Sequence, residues 1–142
     1  MRGRVRRLVP GVAAGCAAAI CLIAVLGLRG VSAAADPATP AFYTERVRPI
    51  LIANCGKCHF SMNHKGGLAM DTRASMMKGG RDGRVIVPGD PGNSPLVKLM
   101  RHEGPAKDPK PMPPKSPRMK DADIAVVEQW IKAGAAMPEN GR

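Results

Sequence analysis

Aromatic side chains are scarce in this chain, with one Trp, one Tyr and two Phe in 142 residues. So few large groups build only a thin core at this length. Basic residues are nowhere interleaved with aromatic ones, so the stacking platforms that hold single-stranded nucleic acid are excluded. Cysteine is as rare, with four in the chain. Cys16 and Cys21 lie in an apolar N-terminal run, leaving Cys55 and Cys58 for the rest of the chain and no framework of disulfides. Acidic residues are few as well, 11 against 22 Lys and Arg, for a formal charge of +11. That excess is unevenly placed. From Asp36 onward, 107 residues hold 17 Lys and Arg against 11 Asp and Glu, and the charge falls to +6. There is no internal repeat.

What the first 35 residues contain is a targeting layout. Arg2, Arg4, Arg6 and Arg7 precede an apolar run from Val12 to Leu28, and Ser32-Ala33-Ala34-Ala35 offers Ala-x-Ala-like cleavage choices. Residues 1–35 are expected to be a secretory signal peptide, or an uncleaved anchor, because the 17-residue run is at the short edge of a membrane span. Residues 36–142 then form one small domain, periplasmic or otherwise extracytoplasmic.

Cys55-Gly56-Lys57-Cys58-His59 has the spacing by which a c-type haem is attached. Two thiols three positions apart can each add to one haem vinyl group, and the following imidazole reaches the iron. The motif therefore implies one covalent haem c, with Cys55 and Cys58 forming thioether bonds and His59 as proximal iron ligand. Other chemistries fit less well. A structural zinc site needs two further ligands at similar spacing, and only His64 and His102 remain as histidines. A dithiol redox site usually follows a strand in a βαβ unit, which is not visible here. Soft-metal binding through Met62 and His64 is a third alternative.

The remaining pattern is helical with long Gly- and Pro-rich turns. Ala41–Asn54 reads as a first helix, kinked or restarted at Pro49. Lys65-Gly66-Gly67 is a turn, and Leu68 and Met70 are candidate haem-packing residues. Asp71 is expected to cap a helix over Thr72–Lys78 that stops at Gly79-Gly80. Ser94-Pro95 starts another to about Arg101. Asp121 is the expected cap of the last helix, where Ile124, Val127 and Ile131 form a stripe and Gly134 ends the element. Trp130 is expected to pack in the core against the first helix and the haem edge.

Between the last two helices, His102 to Arg118 holds six prolines. Pro111-Met112-Pro113-Pro114 sets a methionine between rigid neighbours. Met112 is the candidate sixth ligand to the iron, since His/Met ligation raises the potential and suits electron transfer. Its plain alternative is an apolar loop residue. His102 and Met119 are rival ligands, whereas His64 lies too close to His59 to reach the opposite face of the ring.

From Phe42 through Ala135 the chain resembles the Planctomycete-type cytochrome c domain, a branch of the class I cytochrome c superfamily. The stretches that carry the resemblance include Val47-Arg48-Pro49-Ile50-Leu51, the Cys-x-x-Cys-His motif, Lys65-Gly66-Gly67-Leu68 and Met70-Asp71-Thr72. Further on they include Val87-Pro88-Gly89-Asp90-Pro91, Ser94-Pro95-Leu96, Met112-Pro113-Pro114 and Trp130-Ile131-Lys132-Ala133-Gly134-Ala135. The resemblance implies an all-α, cytochrome c-like fold wrapped around one haem, and Met112 as distal ligand. One departure is Lys120, where relatives usually carry a small helix-capping residue.

The expected function is single-electron transfer through a His/Met-ligated haem, with no catalytic residue. Lys57, Lys65, Lys110 and Lys115 would form a basic collar that steers acidic redox partners. Two alternatives stand beside it. One is a peroxidase-like enzyme or gas sensor with an open sixth iron position, using His102 or Glu103. The other is the electron-accepting subunit of a larger dehydrogenase.

Overall fold

A computed structural model of the chain describes residues 35–104 and 110–142. Nearly all of the expected leader, with Cys16 and Cys21, lies outside the described residues, as do Pro105 and Pro109 of the proline-rich loop. Among the described residues the structure is helical without strands, and an isolated bridge joins Gly80 to Gly83. No helix among them is long and apolar enough to cross a membrane.

Thr39 opens the first helical stretch by accepting the Phe42 N–H on its hydroxyl. A short turn, α1 (Pro40–Phe42), runs into a π-helical segment, Tyr43–Val47, and then into α2 (Arg48–His59). Pro49 therefore restarts the helix. It falls in the first turn of α2, where its missing N–H has no partner to lose. α2 continues through the whole Cys-x-x-Cys-His motif, further than the expected end at Asn54.

A 3₁₀ turn, Lys65–Gly67, precedes α3 (Arg73–Lys78). Its cap is Thr72 and not Asp71: the Thr72 hydroxyl accepts the Ser75 N–H, and Ser75 Oγ accepts the Thr72 N–H. Gly79 ends α3 at φ 81°, and a Cβ there would collide with the Gly83 backbone. Ser94 precedes α4 (Pro95–Met100) but does not cap it with its side chain. Fully buried, its hydroxyl accepts from the Val87 N–H at 2.9 Å and donates to the Asp90 carbonyl at 2.8 Å, closing the loop before the helix.

α5 (Asp121–Lys132) likewise starts without a side-chain cap. Lys120 stands at the cap position, and Asp121, the expected cap, is the first helical residue, where it pairs with Arg118. A carboxylate there complements the positive end of the helix.

The core gathers where α5 and α4 meet the π segment. Val47, Leu51, Met76, Met100, Ile124, Val127 and Ile131 are all buried in it. Tyr43 and Trp130, the two large rings, pack at 5.3 Å between centroids, and the indole N–H donates to the Ala136 carbonyl at 2.7 Å. The Arg101–Glu128 ion pair at 2.6 Å ties the end of α4 to α5. Methionine fills much of what aromatic residues would occupy elsewhere, suiting an irregular interior.

Candidate functional site

α2 delivers His59 to the edge of a cavity of about 500 Å³, within the usual range for ligand sites. Leu68, Val85, Pro95, Leu99 and Met112 give it apolar walls. Gly66, Gly80, Gly83 and Gly104 keep the surrounding turns thin, and the Arg81 N–H binds the Gly66 carbonyl at 2.7 Å to join two of them. Lys65, Arg81, Arg84, Lys98 and Lys110 contribute five positive charges to the lining, against one acid, Asp82.

His59 and Met112 reach this space from opposite ends of the domain's sequence. The His59 Nδ1 lies 3.3 Å from the Leu68 carbonyl. A carbonyl can only accept, so Nδ1 carries the proton and Nε2 keeps its lone pair, the arrangement of a ligating imidazole. Burial, the largest influence, holds the ring's pKa below its ordinary value; His64 and Lys65 add to that, and the Leu68 carbonyl opposes it. The neutral form follows. On the other side, the Met112 N–H donates to the Leu99 carbonyl at 3.2 Å, anchoring the proline-flanked thioether to α4. The Met112–Pro113 peptide is cis.

The two cysteines sit half-buried on the turn of α2 before His59 and are not part of the cavity lining. Burial, reinforced by Cys58, pushes the Cys55 thiol up to about 11. A thiol so raised is protonated at neutral pH. Zinc lacks ligands too: among the described residues no three His, Cys, Asp or Glu side chains gather into a metal site. A free thiol pair, an oriented imidazole, a thioether in the same cavity and five cations for acidic ring substituents suit a haem c.

Other residues singled out from the sequence fall elsewhere. Leu68 lines the cavity, while Met70 and Trp130 lie in the core and not on the wall. His64 binds Asp71 at 2.8 Å. His102, held at φ 58°, buries its Nε2 without a partner, and neither it nor Glu103 is among the lining residues. Met119 is buried in the core. Lys65 and Lys110 line the cavity as one group, but Lys57 borders a separate groove with Arg48 and Ile52, and Lys115 lines neither. Lys98, Arg81 and Arg84 were not legible as site residues, since nothing in their spacing marks a cavity wall.

This combination is what a cytochrome c domain, a haem-binding class associated with electron transfer, would require. More narrowly, residues 55–116 match the family model described as Planctomycete cytochrome C, from the first motif cysteine past Met112. That stretch of the chain is similar to a cytochrome c domain of the Planctomycete type. No curated protein and no solved structure matches the chain.

Proposed function

We propose that the protein is an exported mono-haem cytochrome that carries single electrons between redox proteins outside the cytoplasm. The observation that carries this reading is His59, whose Nδ1 proton is held by Leu68 while its ring lines a cavity shared with Met112. Bound haem supplies the one-electron ferric/ferrous couple. The chain's own residues supply the rest. Cys55 and Cys58 would hold the ring covalently, and His59 and Met112 would bind its iron. Leu68, Val85 and Leu99, apolar residues of the cavity lining, would shield a bound ring from water. The cationic lining offsets the propionate charges, and Lys65, Lys98 and Lys110 present a positive face to acidic partners.

An optical spectrum of the haem-matured protein tests the reading. Expected are a low-spin spectrum in both oxidation states, the red-region iron–sulfur band in the oxidised form, and little carbon monoxide binding after reduction. Met112→Ala should remove that band and open the iron to carbon monoxide. Rapid, complete carbon monoxide binding by the unmodified protein would refute Met112 ligation and favour the open-site enzyme or sensor.

A further inference from the structure

The segment from Phe60 to Leu68 presents a problem that the haem motif alone does not solve. Residues 61–67 are all exposed. Ser61, Gly66 and Gly67 take positive φ, so local backbone preference does not hold the path at Ser61. Yet this segment must return with enough accuracy to set the Leu68 carbonyl against His59 Nδ1, and the Met70 N–H on the His59 carbonyl at 2.8 Å.

One side chain binds the loop at two separated points. The Asp71 carboxylate accepts the Ser61 N–H at 2.7 Å on Oδ1 and meets His64 Nε2 at 2.8 Å on Oδ2. Asp71 is also fixed from behind, because the buried Gly141 sits directly against its carbonyl at φ 71°, where a Cβ would collide. Relieved of capping α3 by Thr72, the carboxylate is spent wholly on the loop.

We infer that Asp71 is a positioning residue for the iron's histidine: by clamping Ser61 and His64 it holds the Leu68 carbonyl on His59 Nδ1. This rests on the proposed haem ligation by His59. A carbonyl on Nδ1 makes the imidazole a stronger donor and favours ferric iron, and such partners of a ligand typically matter by about 10–100-fold when lost. Loosening the clamp therefore raises the midpoint potential.

The test uses the full chain matured with haem, comparing Asp71→Ala with Asp71→Asn. Both lose the charge, but asparagine keeps an oxygen for the Ser61 N–H and a polar group for His64. At the unmodified protein's midpoint, the alanine variant should raise the ferrous/ferric ratio about tenfold, or 59 mV for one electron. The asparagine variant should shift it less than half as far in millivolts. Amide exchange at Met70 should quicken at least about tenfold in the alanine variant and little in the asparagine one. Equal shifts in the two variants with unchanged Met70 exchange would overturn the clamp and leave a through-space charge effect. Should Asp71→Ala fail to fold, His64→Ala decides: it removes one arm from an exposed side chain and must still quicken Met70 exchange, and no change refutes the clamp. Absence of covalent haem in the unmodified protein would instead refute the haem reading itself.

Discussion

Between Tyr43 and Trp130 the domain is sealed by packing, whereas around His59 and Met112 it is held by backbone hydrogen bonds between loops. The first region draws its buried residues from α2, α4, α5 and the π segment, and its polar groups are few. The second is walled by glycine-rich turns, a few apolar side chains and several cations. Apolar burial stabilises the one at roughly 25 cal/mol per Å². The other leaves apolar walls, Leu68, Val85, Pro95, Leu99 and Met112 among them, facing a cavity. A large apolar ring bound in that cavity would give the loop half the packing that the helical half already has.

The largest expected effect separates the halves outright. Cys55→Ala with Cys58→Ala removes both thiols that would attach a haem, and the haem-free chain should be largely unfolded, with far-ultraviolet circular dichroism showing helix content well below that of the haem-loaded protein. Native-like helix content would mean that the helical half stands alone. Trp130→Ala comes next. It empties the centre of the packed half and leaves the Ala136 carbonyl unpaired, so the haem-loaded protein should lose about 3–5 kcal/mol in denaturant titration. Cavity-wall changes such as Lys98→Ala should cost less than about 0.5 kcal/mol.

Tyr43 sharpens the comparison at a polar atom inside the packed half. Its hydroxyl is buried without a partner, and burial, the dominant cause, pushes its pKa up to about 12, Asp71 adding and Arg48 opposing. The folded state thus disfavours the phenolate. Its contribution is fully present below pH 10, the unfolded value, and is lost as pH rises through about 12. Two units correspond to about 2–3 kcal/mol. Tyr43→Phe should abolish this alkaline loss, measured as stability against pH, and at pH 7 should cost nothing or stabilise slightly, because no hydrogen bond is given up.

Legibility in the sequence followed the same divide. The last helix was plain because Ile124, Val127 and Ile131 repeat at helical spacing, and His59 was plain because its chemistry fixes its neighbours. The helix ends were misread. Asp71, Ser94 and Asp121 all belong to types that cap helices, but tertiary partners claimed Asp71 and Ser94, and Asp121 moved one position inward. The π segment before Pro49 was hidden because a wider turn leaves no periodic signature over five residues. Arg84 and Lys98 were invisible as wall residues, since a loop and a helix 14 residues apart meet only through the fold.

The smallest effect concerns the cations themselves. Lys65 and Lys110 come together on one cavity, while Lys57 and Lys115 do not, so a steering face built on them would be smaller than an even collar. Exposed charges of this kind set encounter rates and contribute little to stability. Lys65→Glu with Lys110→Glu should slow electron transfer to an acidic partner several-fold at low salt, with the difference vanishing as the ionic strength rises and the Debye length shrinks from about 30 Å at 0.01 M to about 3 Å at 1 M. Lys57→Glu with Lys115→Glu should do much less in the same stopped-flow measurement. Equal effects from both pairs would show that a diffuse field of the whole domain steers the partner, and the cavity face would then lose its distinction.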